Sequence, residues 1–327
     1  MKLQDLGEFG LIERIAGRIQ PGDGVVLGIG DDAAALEPTP GRLILLTSDM
    51  LLEGVHFDLA WTDPESLGWK SLAVNLSDIA AMGAKPRHFL LSLALPPTLS
   101  LDFVDRFIQG MLTLAKRHRI SLVGGDTCAS RSGLVISLTL LGEQLPAKVI
   151  RRAGARPGDR VYVTGTLGDA ALGLELLRRG EREGEAIRRQ LAPEPRVAAG
   201  LALTESGLPT AMIDVSDGLL ADLGHIAERS GVGARLELES LPLSPCYRER
   251  APAVAADPWH LALAGGEDYE LLFTAPPGQE KAIAALLQGF GTPVTAIGTI
   301  TTERWIAVLD ADGRVYPAPN PGYDHFA

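Results

Sequence analysis

Only two cysteines occur in 327 residues, Cys128 and Cys246, far apart and without a CxxC or histidine partner at ligand spacing. By themselves they cannot build a zinc site, and they point to a reduced, cytoplasmic chain. No H-E-x-x-H pair is present, which argues further against a zinc enzyme. No apolar run approaches the ~20 residues that a membrane span needs. The opening Met1-Lys2-Leu3-Gln4-Asp5 lacks the basic and apolar regions of a signal peptide. Bases are outnumbered, 30 against 41 acids for a net charge of −11, which argues against a nucleic-acid or anionic-membrane surface. Also missing are a G-x-x-x-x-G-K-[ST] phosphate loop, the H-R-D loop of protein kinases and a G-x-S-x-G elbow. Gly165-Thr166-Leu167-Gly168 has no lysine, and Gly28-Ile29-Gly30 is only a fragment of a dinucleotide fingerprint.

What is there suits a globular enzyme: 46% hydrophobic and 22% charged residues, with length for two domains or one large one. Strand-like and helix-like segments alternate in both halves, so the expected class is α/β or mixed α+β. Helices are expected over 3–19, 64–83, 100–118, 170–179, 196–206, from Leu219 to a close at Gly231, and 279–288, the second opening on Thr62-Asp63-Pro64-Glu65. Strands are expected over 25–30, 43–46, 88–95, 121–123, 134–141, 160–164, 210–213, 234–238, 269–274 and 294–300. The charged stretch 180–192 reads as surface. An Arg-rich, loop-like change of texture at Ala147–Arg156 places a domain boundary there, giving 1–147 and 148–327.

The recurrent feature is an acid at a strand end, mostly beside glycine: Asp31/Asp32, Asp49, Asp126, Asp214/Asp217 and Glu267/Asp268. Asp78 joins from a helix, in one stripe with Ser71 and Asn75. Any one of these taken singly reads first as a turn or cap residue, and Gly28–Ala34 is equally open to a reading as an Asp-rich hairpin turn. Taken together they point to one crevice at the strand ends. Oxygen ligands of this kind, with Thr47, Ser48 and Ser216 adding hydroxyls, suit Mg²⁺, which keeps phosphates and waters in its shell. Phosphoryl transfer fits such a set because it needs positioning and charge neutralisation rather than a nucleophilic side chain. Arg151 and Arg152 are the candidate cations, or else part of a solvated linker.

The motifs Gly28-Ile-Gly-Asp-Asp32, Thr47-Ser-Asp49, His56-Phe57, Ala73–Gly83, Gly124-Gly-Asp-Thr127, Asp214-Val-Ser-Asp-Gly218, Gly265-Gly-Glu-Asp-Tyr-Glu270 and Gly322-Tyr-Asp-His-Phe326 occur in this order. In this the chain resembles the thiamine-monophosphate kinase family, of the superfamily that includes aminoimidazole ribonucleotide synthetase. The resemblance implies two α/β domains, the N-terminal sheet forming a barrel across a homodimer and the C-terminal domain layered. It implies direct in-line transfer of the ATP γ-phosphate to thiamine monophosphate with several Mg²⁺. By similarity Asp32, Thr47, Ser48, Asp49, Asp78, Asp126, Asp214 and Asp217 hold the metals. Gly125, Asp126, Arg152 and Ser216 contact ATP, His56 and Glu267 contact thiamine monophosphate, and Asp49, Asp126 and Arg152 carry catalysis. One departure stands out: Asn320 occupies the place where the family often has an aromatic against the substrate. Within the superfamily, a selenophosphate synthetase wants an N-terminal Cys, and a carbamoyl dehydratase a terminal Cys where this chain has Ala327. Aminoimidazole ribonucleotide synthetase is the nearest enzyme rival. A non-catalytic nucleotide or metal sensor and a metal-dependent phosphohydrolase are the alternatives from other classes.

Overall fold

Residues 3–318 are described by a computed structural model, in which Cα packing divides the chain into two units. One holds the residues up to Ile79 with Lys85–Pro146; the other holds Ala80–Ala84 with Ala147 onward. The terminal Gly-Tyr-Asp-His-Phe run and Asn320 lie outside the described residues.

The N-terminal unit begins with α1 (Leu3–Ala16), interrupted at Gly7, where φ is 70°. Then β1 (Val25–Leu27) and β2 (Ala35–Leu36) pair antiparallel, so Gly28–Ala34 is the loop of a small hairpin. The expected strand 25–30 therefore stops at Leu27, because the two glycines leave the ladder. The main elements follow: β3 (Leu43–Leu52), α2 (Pro64–Ala81), β4 (Lys85–Leu95), α3 (Leu101–His118), β5 (Ser121–Ala129) and β6 (Val135–Gln144). The four long strands form one open sheet in the order β3-β6-β4-β5, parallel only between β4 and β5, which α3 connects. Helix α2 starts where the sequence says it should. The Asp63 carboxylate accepts the Ser66 N–H at 2.9 Å, and Pro64 opens the first turn, where no N–H is needed.

Alternation along β3 divides its side chains. Leu45, Thr47, Asp49 and Leu51 share one face; Leu46, Ser48 and Met50 share the other, with Leu46 66% and Met50 55% exposed. Helices α2 and α3 cross backbone to backbone. A Cβ on Gly68 would lie 1.9 Å from the Phe107 carbonyl oxygen, and one on Gly110 would lie 2.0 Å from that of Glu65.

The C-terminal unit runs β7 (Arg160–Thr164), α4 (Asp169–Arg178), α5 (Glu185–Leu191), α6 (Val197–Ser206), β8 (Ala211–Asp214) and α7 (Leu219–Ser230). It continues with β9 (Gly233–Glu237), α8 (Pro245–Val254), α9 (Pro258–Ala264), β10 (Leu271–Ala275), α10 (Glu280–Gln288), β11 (Val294–Thr301) and β12 (Ile306–Leu309). Its six-stranded sheet has the order β12-β9-β11-β7-β10-β8 and is antiparallel except between β12 and β9. Strands β8 and β10 are buried along their whole length, so the sheet is covered on both faces and the unit is layered. Tyr162 and Phe273, direct partners in the register, stack at 5.2 Å in its middle. This is the mixed α/β class expected, with antiparallel pairing prevailing. The expected surface stretch 180–192 is a correction: α5 buries Ala186, Ile187 and Gln190, and its charges lie on the remaining face. Among the described residues no helix is long and apolar enough to cross a membrane.

The α2–α3 crossing yields a stability prediction. Gly68→Ala and Gly110→Ala meet backbone, which cannot step aside, so each should cost at least about 1–3 kcal/mol in urea unfolding. Gly224→Ala, inside α7 with nothing within 4 Å of a new Cβ, should instead stabilise by about 0.5–1 kcal/mol. Equal effects at the three positions would contradict the close crossing.

Candidate active site

On the face of β3 that carries Thr47 and Asp49, the Thr47 hydroxyl donates to the Asp78 carboxylate of α2. Asp49 stands beside the same group. Burial, and then the negative charge of Asp78, push its carboxyl up to about 7. Two half-buried acids and a hydroxyl converge here as hard oxygen donors, and their repulsion is the kind that a divalent cation relieves.

The opposite face of the sheet lines a different space. A cavity of about 1000 Å³ lies between the Gly28–Ala34 loop and the strands, and Asp32, Gly125 and Asp126 all border it. Gly125 has φ 152°, and a Cβ there would sit 1.7 Å from the Leu91 carbonyl oxygen, so only glycine lets β5 lie this close to β4. Asp126 pairs with Ser92, and Ser92 with Ser137, which places its carboxylate on the Ser48/Met50 face. Ser48 meets Thr139, another residue bordering the cavity, at 3.0 Å between hydroxyl oxygens. Asp49 and Asp126 thus belong to the two edge strands and to opposite faces. Three strand spacings separate those edges, about 14 Å. Within one chain the structure brings Thr47, Asp49 and Asp78 together, and separately Asp32, Gly125 and Asp126.

His56 sits just past β3, where its Nδ1 accepts the Leu52 N–H at 3.0 Å. That bond fixes a neutral imidazole with its proton on Nε2, a donor rather than a base.

In the C-terminal unit two motif loops are stitched together by backbone. The Glu267 N–H donates to the Ser216 carbonyl at 2.8 Å, Tyr269 N–H to Val215 at 2.9 Å, and Val215 N–H to Glu270 at 2.8 Å. Asp214, Ser216, Asp217 and Glu267 are therefore neighbours. Glu267 (φ 70°) and Tyr269 (φ 50°) are both left-handed, a strained geometry for residues other than glycine. Between them, Asp268 accepts the N–H groups of Gly168 at 2.6 Å and Ala170 at 3.1 Å, capping α4. Its burial pushes it up to about 8. Glu270, 1% exposed, takes a two-pronged contact from Arg196 at 2.7 and 2.5 Å and a hydrogen bond from the Thr164 hydroxyl at 2.7 Å. Of the motif's three acids, then, Asp268 and Glu270 hold the unit together. Glu267 accepts from the Gln190 amide at 2.5 Å.

Asp222 went unremarked in the sequence. One of its carboxylate oxygens accepts the N–H groups of Ser216, Asp217 and Gly218 at 3.0, 3.1 and 3.1 Å, gripping the loop that presents the motif residues. Burial, then the charge of Asp217, push Asp222 up to about 7, against those N–H groups, which act the other way. Asp217, Asp222 and His225 each offer a ligand atom within 4.8 Å of the others, the one such cluster among the described residues. The usable signal was spacing: Asp222 and His225 lie three apart on α7 and just beyond an already suspect Asp217. Arg152 is exposed in the loop ahead of β7.

Residues 30–144 match the family described as AIR synthase related protein, N-terminal domain, and residues 156–310 match its C-terminal domain. Thiamine-monophosphate kinase of Escherichia coli (strain K12) is 40% identical over 328 residues, covering 98% of each chain. The chain belongs to the thiamine-monophosphate kinase family. The crystal structure of thiamine-monophosphate kinase from Stenotrophomonas maltophilia K279a superposes with a TM-score of 0.84 at 42% identity, covering 95% of this chain and 98% of that one. A structure described as AaThiL complexed with AMPPCP and TMP gives 0.77 at 37% identity, covering 100% of this chain and 99% of that one. The family accounts for the order of the motifs.

The Asp49–Asp78 pair gives a pH prediction. Asp49 starts from 3.8 and reaches about 7 in the folded chain, so folding takes up a proton between those values. Without divalent cations, stability should therefore fall as pH rises from about 4 to 7. In chelator at pH 8, Asp49→Asn should be more stable than wild type by on the order of 1–4 kcal/mol, the gap shrinking below pH 7 and nearly closing at pH 4. Urea titrations at several pH values measure it; equal stability at pH 8 would refute the repulsion.

Proposed function

We propose that the protein phosphorylates thiamine monophosphate to thiamine diphosphate with ATP, in the biosynthesis of that cofactor. Family membership over nearly the whole length carries this reading. An oxygen of the acceptor's phosphate attacks the γ-phosphorus in line. The new P–O bond forms as the bond to the β,γ-bridging oxygen breaks, and ADP leaves. That nucleophile is already anionic, so no side chain has to act as general base.

The chain's task is to hold two polyanions in register. Asp32, Thr47, Ser48, Asp49, Asp78, Asp126, Asp214 and Asp217 are assigned to cation binding, and Gly125, Asp126, Arg152 and Ser216 to ATP. His56, through its Nε2–H, and Glu267 are assigned to the acceptor. The donors are oxygens throughout, and the mutual repulsion of Asp49 and Asp78 favours a divalent cation, so these residues fit Mg²⁺. When bound, Mg²⁺ supplies charge screening between the reacting phosphates. The working location is the cytoplasm, in keeping with two free cysteines.

The working form is a homodimer. The open sheet has an edge and a face rich in exposed apolar groups: Leu43, Ile44, Leu46 and Met50 on β3. A second copy also offers a way to bring an Asp126 to the Asp49 group, which one chain keeps on the far edge of its sheet.

Incubation with ATP, Mg²⁺ and thiamine monophosphate should yield thiamine diphosphate and ADP in equal amounts. ADP formed without acceptor would favour a phosphohydrolase, and no ADP in either case a sensor. Asp49→Asn and Asp126→Asn should each abolish turnover without unfolding the chain. If the two carboxylates come from different copies, co-expressing the variants leaves one intact site in each mixed dimer, and about a quarter of wild-type activity returns. An inactive mixture would overturn the shared site.

A further inference from the structure

The β1–β2 hairpin carries Asp32 to the edge of the large cavity in its loop, Gly28–Ala34. Val26 is 72% and Leu27 42% exposed, so apolar burial fixes the hairpin only weakly. Polar groups hold its base instead. The Glu37 N–H donates to the Gly24 carbonyl at 2.8 Å, joining the two legs. Thr39 follows between Pro38 and Pro40, which have no N–H of their own. Both donors of Thr39 go to one buried carboxylate near the end of β6, that of Glu143. Its Oε1 accepts the Thr39 N–H at 2.9 Å and its Oε2 the hydroxyl at 2.6 Å. Arg87 of β4 stands 3.5 Å from the same Oε2, and its Nη2 reaches the Asp23 carbonyl, on the other leg, at 3.5 Å. Burial acts to raise the Glu143 carboxyl, but the Thr39 hydrogen bonds and then the Arg87 charge hold it below the usual carboxylate range. The clasp is therefore ionised, and its hydrogen bonds are of the stronger, charge-assisted kind.

We infer that Glu143 is a positioning residue for ATP: through Thr39 and Arg87 it fixes both legs of the hairpin, and so sets where the Asp32 loop stands at the cavity. The inference rests on the proposed function, which assigns Asp32 to cation binding and Gly125 and Asp126, on the same cavity, to ATP. Thr39, Arg87 and Glu143 do not themselves line the cavity, so they act on the loop and not on a substrate. Glu37 and Pro38 alone join Thr39 to Leu36 of β2. Proline fixes φ, so this connection is stiff and a displacement at Thr39 passes on to the hairpin.

The test uses Glu143→Ala, Thr39→Val, which removes only the hydroxyl donor, and Thr39→Ser, which keeps both donors. Backbone amides of 24–37 should exchange with deuterium about tenfold faster in the first two, while those of α2 and α3 keep the wild-type rate. Calorimetric titration with ATP and Mg²⁺ should show a Kd raised about tenfold in the same two, with KM for thiamine monophosphate within about twofold of wild type. Thr39→Ser should behave as wild type in every measurement, and Thr39→Val keeps the comparison readable if Glu143→Ala unfolds. Wild-type exchange over 24–37, or faster exchange with an unchanged Kd for ATP, would overturn the role of Glu143. Equal losses toward both substrates, with faster exchange throughout the chain, would overturn it as mere structural damage. No thiamine diphosphate from wild type would overturn the function, and the ATP titration would still decide the role of Glu143. A wild type that does not bind ATP with Mg²⁺ would overturn both.

Discussion

Carboxylates crowded into partly buried positions repel one another, and two unit charges 4 Å apart cost about 4 kcal/mol at an effective dielectric of 20. The way each acid of this chain is compensated separates structure from chemistry. Glu270 is matched by the Arg196 fork, Asp268 by two N–H groups at the start of α4, and Asp222 by three N–H groups of one loop. Asp49 stands beside a second acid, Asp78, and burial, then the charge of Asp78, raise it to about 7. A fold that needed only stability would put an apolar residue at such a place, since buried ionic groups rarely gain over hydrophobic ones.

The compensated acids serve the others. Arg196 and Thr164 anchor Glu270 at the head of β10, and Asp268 ties the same run to α4. Next to these anchors the backbone is held in the left-handed region at Glu267 and Tyr269, a cost of about 1–3 kcal/mol for each. Asp222 does the corresponding work for Ser216 and Asp217. Held from both sides, these loops leave Glu267 and the Asp214–Asp217 stretch little freedom, the preorganisation that the proposed transfer between two bound phosphates requires.

Much of this was legible in the sequence because it is local. Glycine beside acid marks the loops that carry Asp32 and Asp217, whereas Asp49 and Asp126 fall inside β3 and β5, which run on past the ends expected at Leu46 and Val123; the Asp63-Pro64 start of α2 is where capping chemistry puts it. The hairpin reading of Gly28–Ala34 and the binding-loop reading turned out compatible, since the hairpin's loop borders the large cavity. What stayed hidden depends on long-range pairing. Neither strand order nor register is written in β3 or β5 alone, so nothing local says that Asp49 and Asp126 occupy opposite edges and faces. The stretch 180–192 misled for a related reason: its arginines and glutamates dominate the composition, while Ala186, Ile187 and Gln190 supply a buried face only once α4 is alongside. Asp222 was hidden because an acid in the first turn of a helix looks like ordinary dipole complement.

A net charge of −11 would seem a poor endowment for a protein whose proposed substrates are two polyanions. Screening decides the matter. At physiological ionic strength the field of the whole chain fades over about 8 Å, so an approaching nucleotide responds to the groups near it rather than to the total. Near the acids it meets oxygen ligands for any cation it carries; away from a cation it meets repulsion. On the proposed function, the excess of acid makes phosphate binding conditional on metal. An ATP or acceptor molecule arriving without its cations finds carboxylates, while one arriving with them finds ligands. Coupling substrate entry to cation loading in this way guards against unproductive binding. On that reading, acids on the strands and in the loops beside them take the place of the lysine-bearing phosphate loop that the chain lacks.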